Sequence, residues 1–203
     1  KILNISPSCM LHPNIIRNYN INKLKLTSER QVNVIADFTD DVDINYSKQT
    51  LAMVKGSDFI INNDLQEEIF GPFSLIVECD NMNQLESVVN KINGQLTGTI
   101  MATDNEISSN KVLIDILKER VGRIIFNGVP TGVEVNPSML HGGPYPASTD
   151  SRFTAVGVKS IDRWVRPLSY QDFPNELLPE SLKDNNPKNI LRLVNGIYTK
   201  NKI

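Results

Sequence analysis

An α/β fold built on a parallel sheet is what this sequence predicts, and three observations carry that prediction. Strand-like and helix-like periodicities alternate from Phe73 to Phe126, the pattern of strand–helix–strand units joined by right-handed crossovers. Helix-start signatures fall at Asn83 with Glu86 and at Thr103 with Glu106. In each, a cap side chain and a carboxylate three residues on satisfy one another's orphan amides. Asn93-Gly94 reads as a left-handed cap closing the first helix, and the second stops at Gly122.

Taken in order, Ser6 to Pro13 is a loop, and Pro13 suits the first turn of a helix carrying Ile15, Ile16, Tyr19 and Leu24. Val32 to Phe38 alternates loosely and favours a strand, while residues 39–48 form a polar, acidic surface loop. Leu51 to Val54 is a short strand, and Ser57 is placed to cap a helical turn leading to Glu68. Phe73 to Cys79 then reads as a buried strand. Leu85, Val88, Val89 and Ile92 line one helix face at i, i+3, i+4, i+7. Leu96 to Ala102 is the next strand. A helix burying Ile107, Val112, Leu113, Ile116 and Leu117 follows, then a strand at Arg123–Phe126.

Residues 127–157 lack periodicity and are rich in Gly and Pro. A run of that length is usually functional, and this one leaves the C-terminal end of a parallel strand, where open α/β sheets bind ligands. Residues 160–169 read as a strand bearing Ile161, Trp164 and Val165. The polar tail holds one amphipathic piece, Ile190, Leu191, Leu193 and Val194.

The 203 residues are enough for a real core, as one large domain or two small ones. A net charge of -2 with mixed signs and no basic block argues against nucleic-acid binding. No apolar run reaches the length of a membrane span. Two cysteines, Cys9 and Cys79, are too few for a disulfide framework and fit a cytoplasmic protein. Two histidines apart from cysteines and carboxylates argue against a metal site. There is no Gly-x-Gly-x-x-Gly and no phosphate-cradling loop followed by Lys and Ser/Thr.

The stretch Glu67-Glu68-Ile69-Phe70-Gly71-Pro72 places a carboxylate and an aromatic before a stiff Gly-Pro and a strand. Pro72 fixes its own φ and biases Gly71 to an extended form, so Glu68 and Phe70 stand on a rigid approach. This run resembles the Glu-x-Phe-Gly-Pro motif of the NAD(P)-dependent aldehyde dehydrogenases. The segments Phe126 to Val135, His141 to Arg152, and Arg163-Trp164-Val165-Arg166-Pro167 with Tyr170 to Pro174 are similar to its α-ketoglutarate semialdehyde dehydrogenase branch. The resemblance covers about His12 to Pro179. It implies an enzyme oxidising an aldehyde to a carboxylate through a cysteine thiohemiacetal, with α-ketoglutarate semialdehyde as the expected substrate. A long-chain aldehyde is the alternative within the class. A silent oligomerisation or binding module is the alternative outside it.

Residue by residue, the resemblance implies that Glu68 accepts hydrogen bonds from the ribose hydroxyls of NAD or NADP, a diol that suits two carboxylate oxygens, and that Phe70 packs near the nicotinamide. Glu67 is expected to be plain surface. His141, Gly142, Gly143 and Pro146 resemble the loop lining the aldehyde tunnel, although Leu140-His141-Gly142-Gly143-Pro144-Tyr145 departs from the superfamily's commoner Pro-Phe-Gly-Gly-x-Lys. Arg152 is the cation expected to meet a substrate carboxylate, with an ion pair to Asp150 as the alternative. Neither cysteine matches the nucleophile motif, so the catalytic Cys, Asn and Glu are expected upstream and the 203 residues alone are expected to be inactive. On the same resemblance, residues 1–157 are the C-terminal part of the catalytic domain, without the N-terminal cofactor-binding domain. Residues 158–203 are an oligomerisation strand and tail, with residues 160–169 pairing to a second copy.

Overall fold

The computed structural model describes residues 2–130 and 132–203, in two compact units divided between Arg163 and Trp164. The first unit runs β1 (Ser8–Cys9), α1 (Pro13–Thr27), β2 (Asn33–Asp37), β3 (Tyr46–Ser47), β4 (Thr50–Lys55) and α2 (Gly56–Ile61). It continues through β5 (Phe73–Glu78), α3 (Met82–Lys91), β6 (Gln95–Ile100), α4 (Asp104–Ser109), α5 (Lys111–Lys118) and β7 (Val121–Phe126).

The parallel α/β character expected of the sequence is present, divided between two sheets. β4 pairs parallel with β5, and β2 adds antiparallel to β4 with an irregularity between Val34 and Ala36. β6 pairs parallel with β7 in a separate sheet. β5 was expected to be a buried strand. It is instead an edge strand that alternates, with Phe73, Leu75 and Val77 half-buried and Ser74, Ile76 and Glu78 exposed. Phe73, Leu75 and Val77 pack against a core of Leu26, Val54, Phe59, Leu65 and Val88. α2, α3 and the loop before β5 thereby share one apolar centre, which fixes where the Glu68 segment leaves the body.

Several local expectations change in the structure. α1 starts at Pro13 as expected, but Leu24 is 69% exposed and the buried positions are Tyr19 and Leu26. Ser57 sits inside the first turn of α2, whose N-cap residue, Lys55, makes no side-chain capping bond and pairs with Glu78 instead. α3 is capped by Asn81, not by Asn83 with Glu86. The Asn81 side chain accepts from Gln84 N at 3.0 Å, and Gln84 Oε1 accepts from Asp80 N at 2.7 Å. The helix therefore starts one residue before Asn83, which lies within it. The Thr103–Glu106 capping box forms as expected. The helix after it breaks at Asn110, because Ser108, Ser109 and Asn110 each bond back to the carbonyl four residues earlier. Side chains that compete for the backbone in this way bend and end helices. α5 ends at Lys118, and Gly122 belongs to β7.

Residues 160–169 do not form the expected strand. Val158–Trp164 is a 3-10 helix and residues 165–169 are irregular. A strand needs a neighbour for its backbone groups, and among the described residues no strand pairs with this stretch. In the second unit the amphipathic piece becomes a hairpin, β8 (Arg192–Val194) and β9 (Ile197–Thr199). Its turn is Asn195-Gly196, with φ of 50° and 85°, the positive values a two-residue hairpin turn requires. Arg192 crosses under it, donating to the carbonyls of Lys183, Asp184 and Asn201.

Candidate functional site

The segment carrying Glu68 and Phe70 is pinned at both ends. Upstream, Leu65 is 3% exposed in the core, and Gln66 Oε1 accepts from Asn93 N at 3.1 Å. Downstream, Gly71 lies on the ring of Tyr19, so closely that an added Cβ would come 2.4 Å from Tyr19 Cδ2. Only glycine permits that approach. Between the pins Glu68 is exposed and Phe70 is 62% exposed. Glu68 makes no hydrogen bond or ion pair among the described residues, leaving both carboxylate oxygens open to a ligand.

Glu68 lines a concave mouth of about 630 Å³ whose walls include Gln66, Glu67, Gln95, Thr97, Pro146 and Ala147. Phe70 is not among the wall residues. One side of the mouth is built by backbone laid on backbone. A Cβ on Gly122 would sit 1.8 Å from Gly142 O, one on Gly94 2.0 Å from Pro144 O, and one on Gly143 2.4 Å from Gln95 O. Gly94 is thus required by this contact and not by a left-handed cap, since its φ is not positive. Gly94 N donates to Tyr145 O at 3.2 Å, and Gly143 N donates to Ser148 Oγ at 3.0 Å. The double-glycine bend therefore lies at the N-terminal ends of β6 and β7, although the run begins beyond their C-terminal ends. At those C-terminal ends Asn127 closes the sheet, its side chain bonding both backbone groups of Ala102 at 2.9 and 2.7 Å.

Gly142 and Gly143 are buried, and Pro146 is exposed on the mouth. His141 acts through its backbone, its N donating to Thr154 Oγ1 at 2.8 Å and its O accepting from Ala155 N at 2.9 Å. Arg152 lies apart from the mouth and is paired with Asp150, Nε to Oδ1 at 3.0 Å and Nη2 to Oδ2 at 2.6 Å. The Arg152 side chain is the main reason that the Asp150 carboxyl is held down at about 2. This ion pair is the alternative weighed for Arg152, and it leaves the guanidinium 77% exposed over the Phe153 ring.

Cys9 is exposed and Cys79 half-buried, with burial pushing the Cys79 thiol up, away from the thiolate form a nucleophile requires. Glu67, expected to be plain surface, is exposed and also lines the mouth beside Glu68. Gln66, Asn93 and Gly94 were not expected there either. Their one sequence signal is a Gly after a helix, which reads as a cap and hides a backbone contact formed at a distance.

No family model matches the chain. It is 40% identical over 196 residues to the alpha-ketoglutaric semialdehyde dehydrogenase of Acinetobacter baylyi, a match covering 96% of this chain and 37% of the relative. It is 42% identical over 138 residues to alpha-ketoglutaric semialdehyde dehydrogenase 2 of Azospirillum brasilense, covering 68% of this chain and 26% of that protein. The chain thus spans about a third of the length of the curated relatives it matches. Among solved structures, Delta-pyrroline-5-carboxylate dehydrogenase from Mycobacterium tuberculosis shares the fold. Its TM-score is 0.60 at 18% identity, over 84% of this chain and 32% of that one. A second structure of that enzyme, bound with NAD, matches with a TM-score of 0.56, 19% identity, and coverage of 84% of this chain and 31% of that one.

Proposed function

We propose that the chain belongs to the aldehyde dehydrogenase superfamily and is the C-terminal portion of an enzyme oxidising an aldehyde to a carboxylate with NAD or NADP, a reading supported by its 40% identity to an alpha-ketoglutaric semialdehyde dehydrogenase. The substrate is α-ketoglutarate semialdehyde. One observation carries this reading: an uncommitted Glu68 carboxylate and the double-glycine segment's Pro146 line the same mouth.

The residues present fit a nicotinamide ribose. Glu68 offers two acceptor oxygens to a vicinal diol on a segment that cannot swing, because Leu65 and Gly71 hold it at either end. Phe70 presents an exposed ring, two residues before Pro72, to the flat face of a heteroaromatic base. When bound, the cofactor accepts the hydride. Gly142, Gly143 and Pro146 shape the aldehyde side, His141 ties that loop to Thr154, and Arg152 receives the substrate carboxylate by exchanging it for Asp150. In this reading the nucleophilic cysteine and the rest of the cofactor site come from sequence upstream, and the enzyme works in the cytoplasm as a homo-oligomer.

The test uses the whole enzyme with α-ketoglutarate semialdehyde, succinate semialdehyde and a fatty aldehyde, each with NAD and NADP. Glu68→Gln raises the cofactor KM about tenfold and leaves the aldehyde KM in place. A flat cofactor KM in that variant removes the assignment of the mouth. Preference for the fatty aldehyde removes the substrate.

A further inference from the structure

We propose that Tyr19, on α1, is a positioning residue that sets the aim of Glu68 and Phe70. This deepens the reading above and rests on Glu68 facing the cofactor. Tyr19 is 1% exposed and lies far from the motif in sequence. Its hydroxyl donates to Lys48 O at 2.5 Å and lies 3.4 Å from Pro72 O. Pro72 O also accepts from Thr50 N at 3.0 Å. The phenol thus sits where the parallel strands β4 and β5 begin, bridging the residues that precede each of them. Its ring lies against Gly71, with Met10 Cε closing the other side of the same spot. Burial pushes the phenol above its ordinary range, so it remains a donor at neutral pH.

The consequence is geometric. Gln66 to Phe70 hang between Leu65, fixed in the core, and Gly71-Pro72, fixed by Tyr19. Core packing holds the first anchor in any case, so the second decides the angle at which Glu68 and Phe70 stand. A side chain buried and bonded outside the site can in this way tune affinity without touching ligand.

Tyr19→Phe keeps the ring on Gly71 and removes only the hydroxyl. In the whole enzyme without cofactor the Thr50 amide then exchanges its hydrogen faster, a readout that needs no turnover. In the whole enzyme the equilibrium Kd and the KM for NAD(P) rise about fivefold, while the aldehyde KM stays. Combined with Glu68→Gln, Tyr19→Phe has less than its full effect, because part of what it does passes through the same carboxylate. Effects on cofactor affinity that are absent, or that multiply with those of Glu68→Gln, overturn the role of Tyr19 alone. A Glu68→Gln enzyme with unchanged cofactor affinity takes down the reading of the mouth and this proposal together.

Discussion

At the scale of single residues, three glycines shape the mouth, and one ion pair stands apart from it. Gly94, Gly122 and Gly143 are places where two backbones come closer than any Cβ permits, and they seat the loop that carries Pro146. Sequence reading recognises a glycine but not what presses on it, and Gly94 was accordingly read as a helix cap. The Asp150–Arg152 pair has a pH signature. The Asp150 carboxyl is lowered from 3.8 to about 2, with the Arg152 side chain as the largest cause. Since the folded value is depressed, what the pair contributes is present above about 4 and is lost as the pH falls towards 2. Observed by its carboxyl carbon shift, Asp150 titrates near 2 in the parent chain. In Arg152→Met it returns towards the ordinary carboxylate range. An Asp150 that titrates alike in both chains removes the pairing.

Among the elements, helix starts were the least secure part of the reading. Asn83 with Glu86 satisfies the spacing of a capping box, but Asn81 takes the cap with Gln84 reaching back, because the chain leaving β5 turns at Asp80. Asn81→Ala therefore costs about 1 kcal/mol, while Asn83→Ala stays within about 0.5 kcal/mol. Urea denaturation of the two variants distinguishes these, and the opposite order restores the original box. Thr103 with Glu106 was read correctly because nothing nearby competes for the same amides. The run from Ser108 to Asn110 shows the converse, since three short polar side chains return to the backbone and split one expected helix in two.

For the molecule as a whole, residues 160–169 depart from the strand expected of them. The sequence alternates there as a strand would, yet in one copy of the chain the stretch is a 3-10 turn followed by irregular backbone, with Trp164 82% exposed. An exposed indole beside unpaired backbone suits pairing with another sheet. In our reading the stretch becomes a strand only when a second copy supplies the neighbour. Val165→Pro removes an amide that such a ladder needs while disturbing nothing regular in the single chain. Sedimentation of the whole enzyme then shifts to smaller species, whereas an unchanged assembly places the interface elsewhere.

The amino-acid sequence determined the α/β class, the alternation of strand and helix from β5 to β7, the motif around Glu68 and the family likeness, because all of these are written in short spacings and residue types. It did not determine that the parallel strands divide between two sheets, that β5 stands at an edge, or that Glu67, Asn93 and Gly94 face the same mouth as Pro146. Those were decided by tertiary contacts between residues far apart in the chain, whose cost and gain no local pattern records. Tyr19 against Gly71 and Gly122 against Gly142 are two such contacts, and both exist only once the chain has closed on itself.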